Sequence, residues 1–384
     1  MEKQPKITLT SDKPGARMFM LGNEALARGA IEAGARVVAA YPGTPSTEIV
    51  ETLFGHRTSL GKMYIEWSVN EKVAFGLAFG ASLCGARGLA VMKHVGVNVA
   101  LDSIMSAAYI GARGGLVLLE AEDPGQWSSQ NEQDNRFIAE EGFLPILEPS
   151  SAQEAKEMLV DAFRLSEEFG QPFILRSATR IGHSRSDITL GNIRLDSSTF
   201  KLDKDPDKLV LLPAVARKHR VLMIERLNKI KEAVNSWSYN NLKLVKNSKL
   251  GIITSGISYS FLLESLKWLN IDDKVSILRI GTPYPLPEKL IKDFLLNNNE
   301  VLVVEELEPY IENHLRALAQ QFGTTNQIHG KDVLPRTGEF SIRKVTEAIC
   351  RITGLKTPID FSLIDNAINE ASALLPFPPT QSLY

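Results

Sequence analysis

Short apolar runs that suggest strands alternate with helical patterns along most of this 384-residue chain. The runs RVVAAYP, GLAVMKHV, GGLVLLEAE and PFILRSA occur between Met18 and Arg180, with helical segments between them. A second and more regular series, KLGIITSG, KVSILRIG and EVLVVEEL, has one helical segment after each run. Alternating strands and helices form mostly parallel sheets with helices on both faces. The sequence therefore predicts an α/β fold with two doubly wound, mostly parallel sheet domains.

The polar content of the chain changes where we place the domain boundaries. We predict a first domain over residues 15–185 and a connector over 186–247. A second domain follows over 248–355, and a C-terminal tail over 356–384. The last residues of this tail, PFPPTQSLY, are rich in proline and are expected to be extended.

Polar residues next to the apolar patterns predict where several helices begin. Asn23 is expected to cap the helix EALARGAIEAGA, and Ser46 the helix TEIVETLF. A helix rich in Gly and Ala is predicted over Asn70–Cys84. Ser151 and Glu154 have the spacing of a capping box at the start of a further amphipathic helix.

The composition argues against several function classes. Lys and Arg number 43 against 45 Asp and Glu, so no basic excess favours nucleic acid or an anionic membrane. The start of the sequence shows no apolar signal region, and no apolar run approaches the roughly 20 residues of a membrane span. Cys84 and Cys350 are too few to hold an iron–sulfur cluster, which takes about four thiolates. We expect a cytoplasmic protein without metal ligands of its own, and no GxSxG, P-loop or zinc spacing occurs.

The first candidate site segment is YPGTPS, Tyr41–Ser46, which follows a predicted strand and opens a helix. Open α/β sheets bind ligands at such turns. Gly43 allows close approach of the backbone to a ligand, and Thr44 offers a hydroxyl. The helix N-terminus that follows favours an anion such as a carboxylate. An ordinary Pro/Gly turn is the more common explanation of such residues.

Glu71, at the head of the helix rich in Gly and Ala, is the second candidate. The small residues after it let another chain or helix come close, so its carboxylate could be buried at an interface. A buried carboxylate has a raised pKa and can share a proton with a ring nitrogen. The alternative is a capping carboxylate that the helix dipole stabilises. Glu66, five residues earlier on a predicted strand, is a rival for the same role.

Two further segments carry polar groups at predicted strand ends. KHVGVN contains His94, which could act in acid–base chemistry, and Gly96, which suggests close approach of another group. The loop DPGQWSSQNEQDNR offers the amides of Gln130, Asn131 and Gln133. A structural histidine and an ordinary solvated loop are the alternatives, and the residues alone favour them.

Together these segments resemble a known family. YPGTPSTEI, EWSVNEKVAFGLAFGAS, MKHVGVNVALDS and DPGQWSSQNEQDNR occur in the same order in the large subunit of indolepyruvate:ferredoxin oxidoreductase. IHGKDVLPRTGEF resembles a stretch late in that family's second domain. The resemblance covers roughly residues 17–340, and four ordered segments are more specific than any one alone.

The resemblance implies a fold and an activity. The first domain is similar to the pyrimidine-binding domain of thiamine enzymes, and the second to their transketolase C-terminal-like domain. Such enzymes decarboxylate a 2-oxoacid on thiamine diphosphate, pass electrons through iron–sulfur clusters to ferredoxin, and release an acyl-coenzyme A. An aryl pyruvate such as indolepyruvate is the implied substrate.

The resemblance also implies roles for single residues. Glu71 matches the catalytic glutamate that hydrogen-bonds the aminopyrimidine ring, and Thr44 matches a threonine near the substrate carboxylate. The remaining predicted site residues are assigned by their segments: Gly43, Gly96 and Asn98 to the cofactor, and His94, Gln130 and Asn131 to the substrate.

The sequence departs from the family pattern at its end. Where members continue into a Cys-rich CPGCPH-like segment, it reads LPFPPTQSLY. We therefore expect a partner chain to supply the diphosphate-binding domain, Mg²⁺ and the iron–sulfur clusters, and we expect homo-oligomer contacts through the helix after Glu71. The alternative is a non-catalytic regulatory paralogue, although retention of Glu71 and Thr44 favours the enzyme subunit.

Overall fold

The computed structural model describes residues 7–194 and 199–374. Its strands are β1 (Arg17–Leu21), β2 (Val37–Ala40), β3 (Tyr64–Trp67), β4 (Gly88–Lys93), β5 (Leu116–Glu122), β6 (Ile146–Leu147), β7 (Phe173–Ala178), β8 (Arg185–Thr189), β9 (Asn241–Lys243), β10 (Gly251–Ser255), β11 (Ser276–Ile280), β12 (Glu300–Val304) and β13 (Gln327–His329). Its α-helices are α1 (Gly22–Glu32), α2 (Thr47–Gly55), α3 (Glu71–Leu83), α4 (Gly96–Ile110), α5 (Arg136–Glu141), α6 (Ala152–Phe169), α7 (Thr179–Gly182), α8 (Pro206–Leu209), α9 (Pro213–Ala233), α10 (Ile257–Leu269), α11 (Glu288–Asn297), α12 (Tyr310–Phe322), α13 (Ile342–Thr353) and α14 (Ser362–Leu374).

The first unit is a six-stranded sheet with the order β3-β2-β4-β5-β7-β6, and every pair of neighbours in it is parallel. Helices α1, α2 and α6 bury their apolar sides on one face, and α3 and α4 cover the other. This is the arrangement that the alternating pattern predicts, because both faces of a parallel sheet are buried. Strands β1 and β8 form a separate antiparallel pair, so β8 crosses the predicted boundary at residue 185.

The second unit has the sheet order β13-β12-β10-β11-β9. All its pairs are parallel except β9 with β11. Helices α10 and α13 pack on one face, and α11 and α12 on the other. The predicted fold class is confirmed: the chain contains two doubly wound, mostly parallel sheets.

The predicted helix starts are only partly correct. The capping role of Asn23 is wrong, because α1 begins at Gly22 and its first turn is capped by Glu24, which accepts the N–H of Leu21 at 2.6 Å. Ser46 lies at the N-cap position of α2, but its hydroxyl donates to the carbonyl of Gly43 instead of capping. Ser46 therefore closes a turn within the YPGTPS segment.

The capping box at the start of α6 is half correct. The hydroxyl of Ser151 accepts the N–H of Glu154, as predicted. The carboxylate of Glu154 accepts the N–H of Ser150, one residue before the expected donor.

The predicted connector is shared between the two units. Helix α9 packs on the first unit, where Arg226 donates to the carbonyl of Ala108 and to the side chain of Gln171. Strand β9 joins the second sheet. Within the predicted tail the structure has helix α14, while the expected extended stretch after Leu374 lies outside the described residues. No helix in the described parts of the chain has both the length and the apolar character of a membrane span.

Candidate functional site

The carboxyl edge of the first sheet brings the candidate segments together. The YPGTPS segment follows β2, KHVGVN follows β4 and the 123–136 loop follows β5, and these three strands are neighbours. The ends of parallel neighbours meet at one edge, where open α/β sheets bind ligands. The hydroxyl of Ser128 in the loop donates to the carbonyl of Thr44 at 3.3 Å, which joins the loop to the YPGTPS segment.

Glu71 and Gly96 are in direct contact. Glu71 is the first residue of α3 and Gly96 the first of α4. A Cβ atom placed on Gly96 would lie 2.6 Å from both Cγ and Oε1 of Glu71, so the glutamate side chain occupies the space that only glycine leaves open. In the described residues, neither oxygen of Glu71 has a hydrogen-bond partner. The structure thus presents a half-buried carboxylate at this edge that is free to bind a ligand.

His94 is a buried residue that contacts the 123–136 loop. Only 1% of its surface is exposed. Its Nε2 donates to the carbonyl of Asn131 at 3.1 Å, while its Nδ1 has no partner among the described residues. Its own carbonyl accepts the side-chain amide of Asn135, which also donates to Glu120. These contacts show that His94 holds the loop, and they leave its Nδ1 without a partner among the described residues.

The predicted amide residues differ in how firmly the structure places them. Asn98 donates to the side-chain oxygen of Gln133 at 2.8 Å, and Gln133 in turn donates to Asn131 at the same distance. This chain of amides links the start of α4 to the 123–136 loop. Gln130 is exposed, and its side chain makes no hydrogen bond in the described structure.

Asp123 organises the 123–136 loop. Its Oδ2 accepts the N–H of Ser128 at 2.9 Å and the hydroxyl of Ser129, and its Oδ1 accepts the hydroxyl of Thr179 at 3.1 Å. Lys93, at the end of β4, donates to the carbonyl of Ser128 at 2.5 Å. Hydrogen bonds with Asp123 and Lys93 therefore hold the centre of the loop in place. An ordinary solvated loop would not need these contacts.

Glu66 lies on β3, as predicted, and its carboxylate is already engaged. It accepts the hydroxyl of Tyr64 and, at 3.2 Å, that of Ser68. Glu71 has no such partners, so Glu71 is the better of the two candidates for binding a ligand.

Buried charged residues on β5 and β7 are a feature that the sequence did not lead us to predict. Glu120 and Glu122 on β5 pair in register with Arg176 and Ala178 on β7, and Arg176 donates to Glu122 at 3.1 Å. Burial, together with the neighbouring Glu122, raises the pKa of Glu120 well above its usual range. The signal was present, because charged residues interrupt the apolar strand runs LVLLEAE and FILRSA.

The described residues show no cluster of metal-binding side chains. No group of three or more His, Cys, Asp or Glu side chains in the described ranges is arranged to hold an ion.

Comparisons with known proteins support the resemblance. A family model described as pyruvate flavodoxin/ferredoxin oxidoreductase, thiamine diphosphate binding, matches residues 28–226. Indolepyruvate oxidoreductase subunit IorA of Pyrococcus abyssi is 44% identical over 370 residues, and that of Thermococcus kodakarensis 45%. Each match covers 95% of this chain and 57% of the relative, so the chain spans little more than half the length of these relatives.

Solved structures confirm the fold. The 2-oxoglutarate:ferredoxin oxidoreductase from Magnetococcus marinus superposes with a TM-score of 0.71 at 17% identity, covering 87% of this chain and 65% of that one. A split gene transketolase superposes with a TM-score of 0.58 at 13% identity, covering 88% of this chain and 99% of that one. At these identities the likeness concerns the fold alone.

Proposed function

This chain belongs to the pyruvate flavodoxin/ferredoxin oxidoreductase family, and we propose that it is the subunit of a 2-oxoacid:ferredoxin oxidoreductase that supplies the aminopyrimidine side of a thiamine diphosphate site. The observation that carries this proposal is the unpartnered carboxylate of Glu71, seated against Gly96 at the carboxyl edge of the first sheet. An aryl pyruvate is the proposed substrate, because the relatives that match over 95% of this chain are named indolepyruvate oxidoreductase subunits.

The residues at this edge fit the aminopyrimidine end of thiamine diphosphate. Gly96 leaves room for the side chain of Glu71. Both Glu71 oxygens remain open to a ring nitrogen in the described structure. We therefore assign Glu71, Gly43, Gly96 and Asn98 to the cofactor. Thr44, His94, Gln130 and Asn131 are assigned to the substrate, on the strength of their positions on the three segments that meet there.

Glu71 has a defined chemical task in this proposal. Thiamine diphosphate, when bound, supplies the nucleophilic carbon and the electron sink for decarboxylation. The carboxyl group of Glu71 holds a proton at one of its oxygens and shares it with the ring nitrogen, which sets the protonation state of the aminopyrimidine. General acid–base groups of this kind contribute typically 10²–10⁴-fold to a rate. The 123–136 loop is held next to this site by Asp123 and Lys93.

The remaining parts of the activity are assigned to other polypeptides in this proposal. We propose that a partner polypeptide binds the diphosphate and Mg²⁺ and carries the iron–sulfur clusters. Ferredoxin would accept the electrons and coenzyme A the acyl group, in the cytoplasm. Homo-oligomer contacts would use α3, where a Cβ atom on Gly76 or Gly80 would meet open space. A non-catalytic paralogue is the second candidate.

Purification of the chain with its native partners tests the proposed function. We expect the complex to reduce ferredoxin when an aryl pyruvate and coenzyme A are both present. The measurement is ferredoxin reduction with indolepyruvate, phenylpyruvate and branched-chain 2-oxoacids in turn. A complex that carries a diphosphate-binding polypeptide but oxidises none of these substrates would contradict the proposal and favour the paralogue.

The isolated chain should bind thiamine diphosphate weakly or not at all. Most charged contacts to this cofactor are made by Mg²⁺ and its ligands, which the partner polypeptide supplies in this proposal. Calorimetry of the 384-residue chain with cofactor and magnesium checks this. Micromolar binding would contradict it, and the native complex, which should bind tightly, is the positive control.

A further inference from the structure

One buried cation in the described part of the chain has no carboxylate partner there. Six Lys and Arg side chains in the described residues are less than 9% exposed. Five of them have a carboxylate oxygen within 4.0 Å: Arg28, Arg87, Arg136, Lys156 and Arg176. Lys93, which is 8% exposed, has none among the residues that the structure describes. Buried charges are normally paired, so an unpaired one at a ligand-binding edge requires an explanation.

Lys93 lies between the segments of the candidate site. Its Cβ atom would be 3.1 Å from a Cβ placed on Gly43, so its stem packs on the backbone of the YPGTPS segment. Its ammonium group donates to the carbonyl of Ser128, and Ser128 contacts the carbonyl of Thr44. An ammonium group has three N–H donors. The described structure uses one of them, which leaves two for a ligand.

Asp123 forms no direct ion pair with Lys93 in the described structure. The carboxylate of Asp123 accepts hydrogen bonds from Ser128, Ser129 and Thr179, and it stays more than 4.0 Å from the ammonium group. Burial lowers the pKa of Lys93 and the charge of Asp123 only opposes this effect. A bound anion would offset the cost of keeping the ammonium charged there.

The helix terminus beside Lys93 is a poorer anion site than the sequence suggested. The N–H of Gly43 is used by the hydroxyl of Thr47 at 2.9 Å, and the N–H of Ser46 by the carbonyl of Gly43 at 2.8 Å. Two of the backbone donors ahead of α2 are thus already used within the turn. A carboxylate that enters this site needs another donor.

We propose that Lys93 binds the carboxylate of the 2-oxoacid substrate and so selects for an acid at this position. The proposal rests on the proposed function and deepens it by naming the group that recognises the substrate's charge. The bound carboxylate takes the two free N–H donors of Lys93, beside Thr44. Charge-assisted hydrogen bonds of this kind are the strong ones in proteins.

The test compares a charged ligand with a neutral copy of it in the native complex. Phenylpyruvate and its methyl ester differ only in the carboxylate, and calorimetry measures the affinity of each without needing turnover. Lys93→Met should weaken phenylpyruvate binding by roughly tenfold to a hundredfold, the usual worth of a hydrogen bond to a charged group. The ester should bind both proteins equally, and Lys93→Arg should restore most of the preference for the acid. In steady-state kinetics, Lys93→Met should mainly raise the KM for phenylpyruvate.

Lys331→Met is the matched control. Lys331 also donates to a backbone carbonyl, that of Glu305 at 2.5 Å, but it belongs to the second unit. Its loss should change stability without changing the preference for the acid. If Lys93→Met weakens acid and ester equally, or weakens neither, Lys93 only tethers the loop and the proposal is wrong. Absence of 2-oxoacid oxidation in the unmodified complex would overturn the proposed function instead, and the binding comparison would still decide the role of Lys93.

Discussion

Glu71→Gln in the native complex should slow 2-oxoacid-dependent ferredoxin reduction by roughly a hundredfold or more. Glutamine keeps the shape of the side chain and can donate a hydrogen bond to a ring nitrogen. It cannot hold and exchange the proton that the carboxyl group of Glu71 shares with the cofactor. The KM for the 2-oxoacid should change little, because Glu71 is not proposed to contact the substrate. Steady-state kinetics with phenylpyruvate measures both quantities.

The variant should fold and assemble normally. The described structure gives Glu71 no hydrogen bond to lose, and its position in the first turn of α3 is worth only about 0.3–1 kcal/mol through the helix dipole. A melting temperature and an elution profile close to those of the unmodified complex would show that the lost rate is chemical.

Glu66→Gln is the control with the same chemical change. Glu66 lies on β3 and is engaged with Tyr64 and Ser68, so its replacement should leave most of the turnover intact. If Glu66→Gln abolishes turnover while Glu71→Gln does not, the assignment of the site is wrong by five residues. If neither change matters, the chain is not part of a thiamine site.

The position of the candidate site could be predicted because parallel sheets have a simple rule. The segments after β2, β4 and β5 meet because those strands are neighbours and run in one direction. Hydrophobic periodicity identified the strands, and strand ends then identified the edge. The close approach of another group at Gly96 could also be predicted from the residue type. A Cβ atom at this position would collide with the side chain of Glu71.

Contacts between distant residues could not be predicted in the same way. Asn23 is a residue type that often caps helices, but α1 begins one residue before it. The side-chain amide of Asn23 instead donates to the carbonyl of Pro45 and to the carboxylate of Glu48. Lys93 has no carboxylate partner because Asp123 accepts hydrogen bonds from other residues. No sequence pattern predicts which donors a carboxylate will bind. Propensity describes segments, whereas tertiary packing decides which side chains meet.

Arg136 is the clearest case of such packing, and its replacement should have the largest effect on stability. It begins α5, is 1% exposed, and donates to Asp134 at 2.8 Å through Nε and to Glu305 at 2.6 Å through Nη1. Glu305 follows β12 of the second unit, so this guanidinium joins the two units. Arg136→Met removes the closest cation from the buried carboxylates of Asp134 and Glu305. We expect a loss of about 3–5 kcal/mol in the free energy of unfolding, measured by urea denaturation.

Arg164→Met is the exposed counterpart. Arg164 pairs with Glu168 at 2.9 Å, but more than half of its side chain is open to solvent. Exposed pairs of this kind are worth less than about 1 kcal/mol, so the control should unfold close to the unmodified chain. The triple variant Arg136→Met, Asp134→Asn, Glu305→Gln should recover part of the loss, because it removes the uncompensated charges together with the arginine.

The pH dependence separates lost charge pairing from lost packing at Arg136. Burial works to raise the pKa of Asp134, but pairing with Arg136 outweighs it and holds the pKa below its usual value. Burial raises the pKa of Glu305, and Arg136 opposes that rise. Without Arg136 both pKa values should increase, so the folded variant takes up protons that the unmodified protein does not. The stability deficit should therefore shrink as the pH falls from about 7.5 to about 5.5. A deficit that stays constant across this range would mean that the arginine acts through packing, not through its charge.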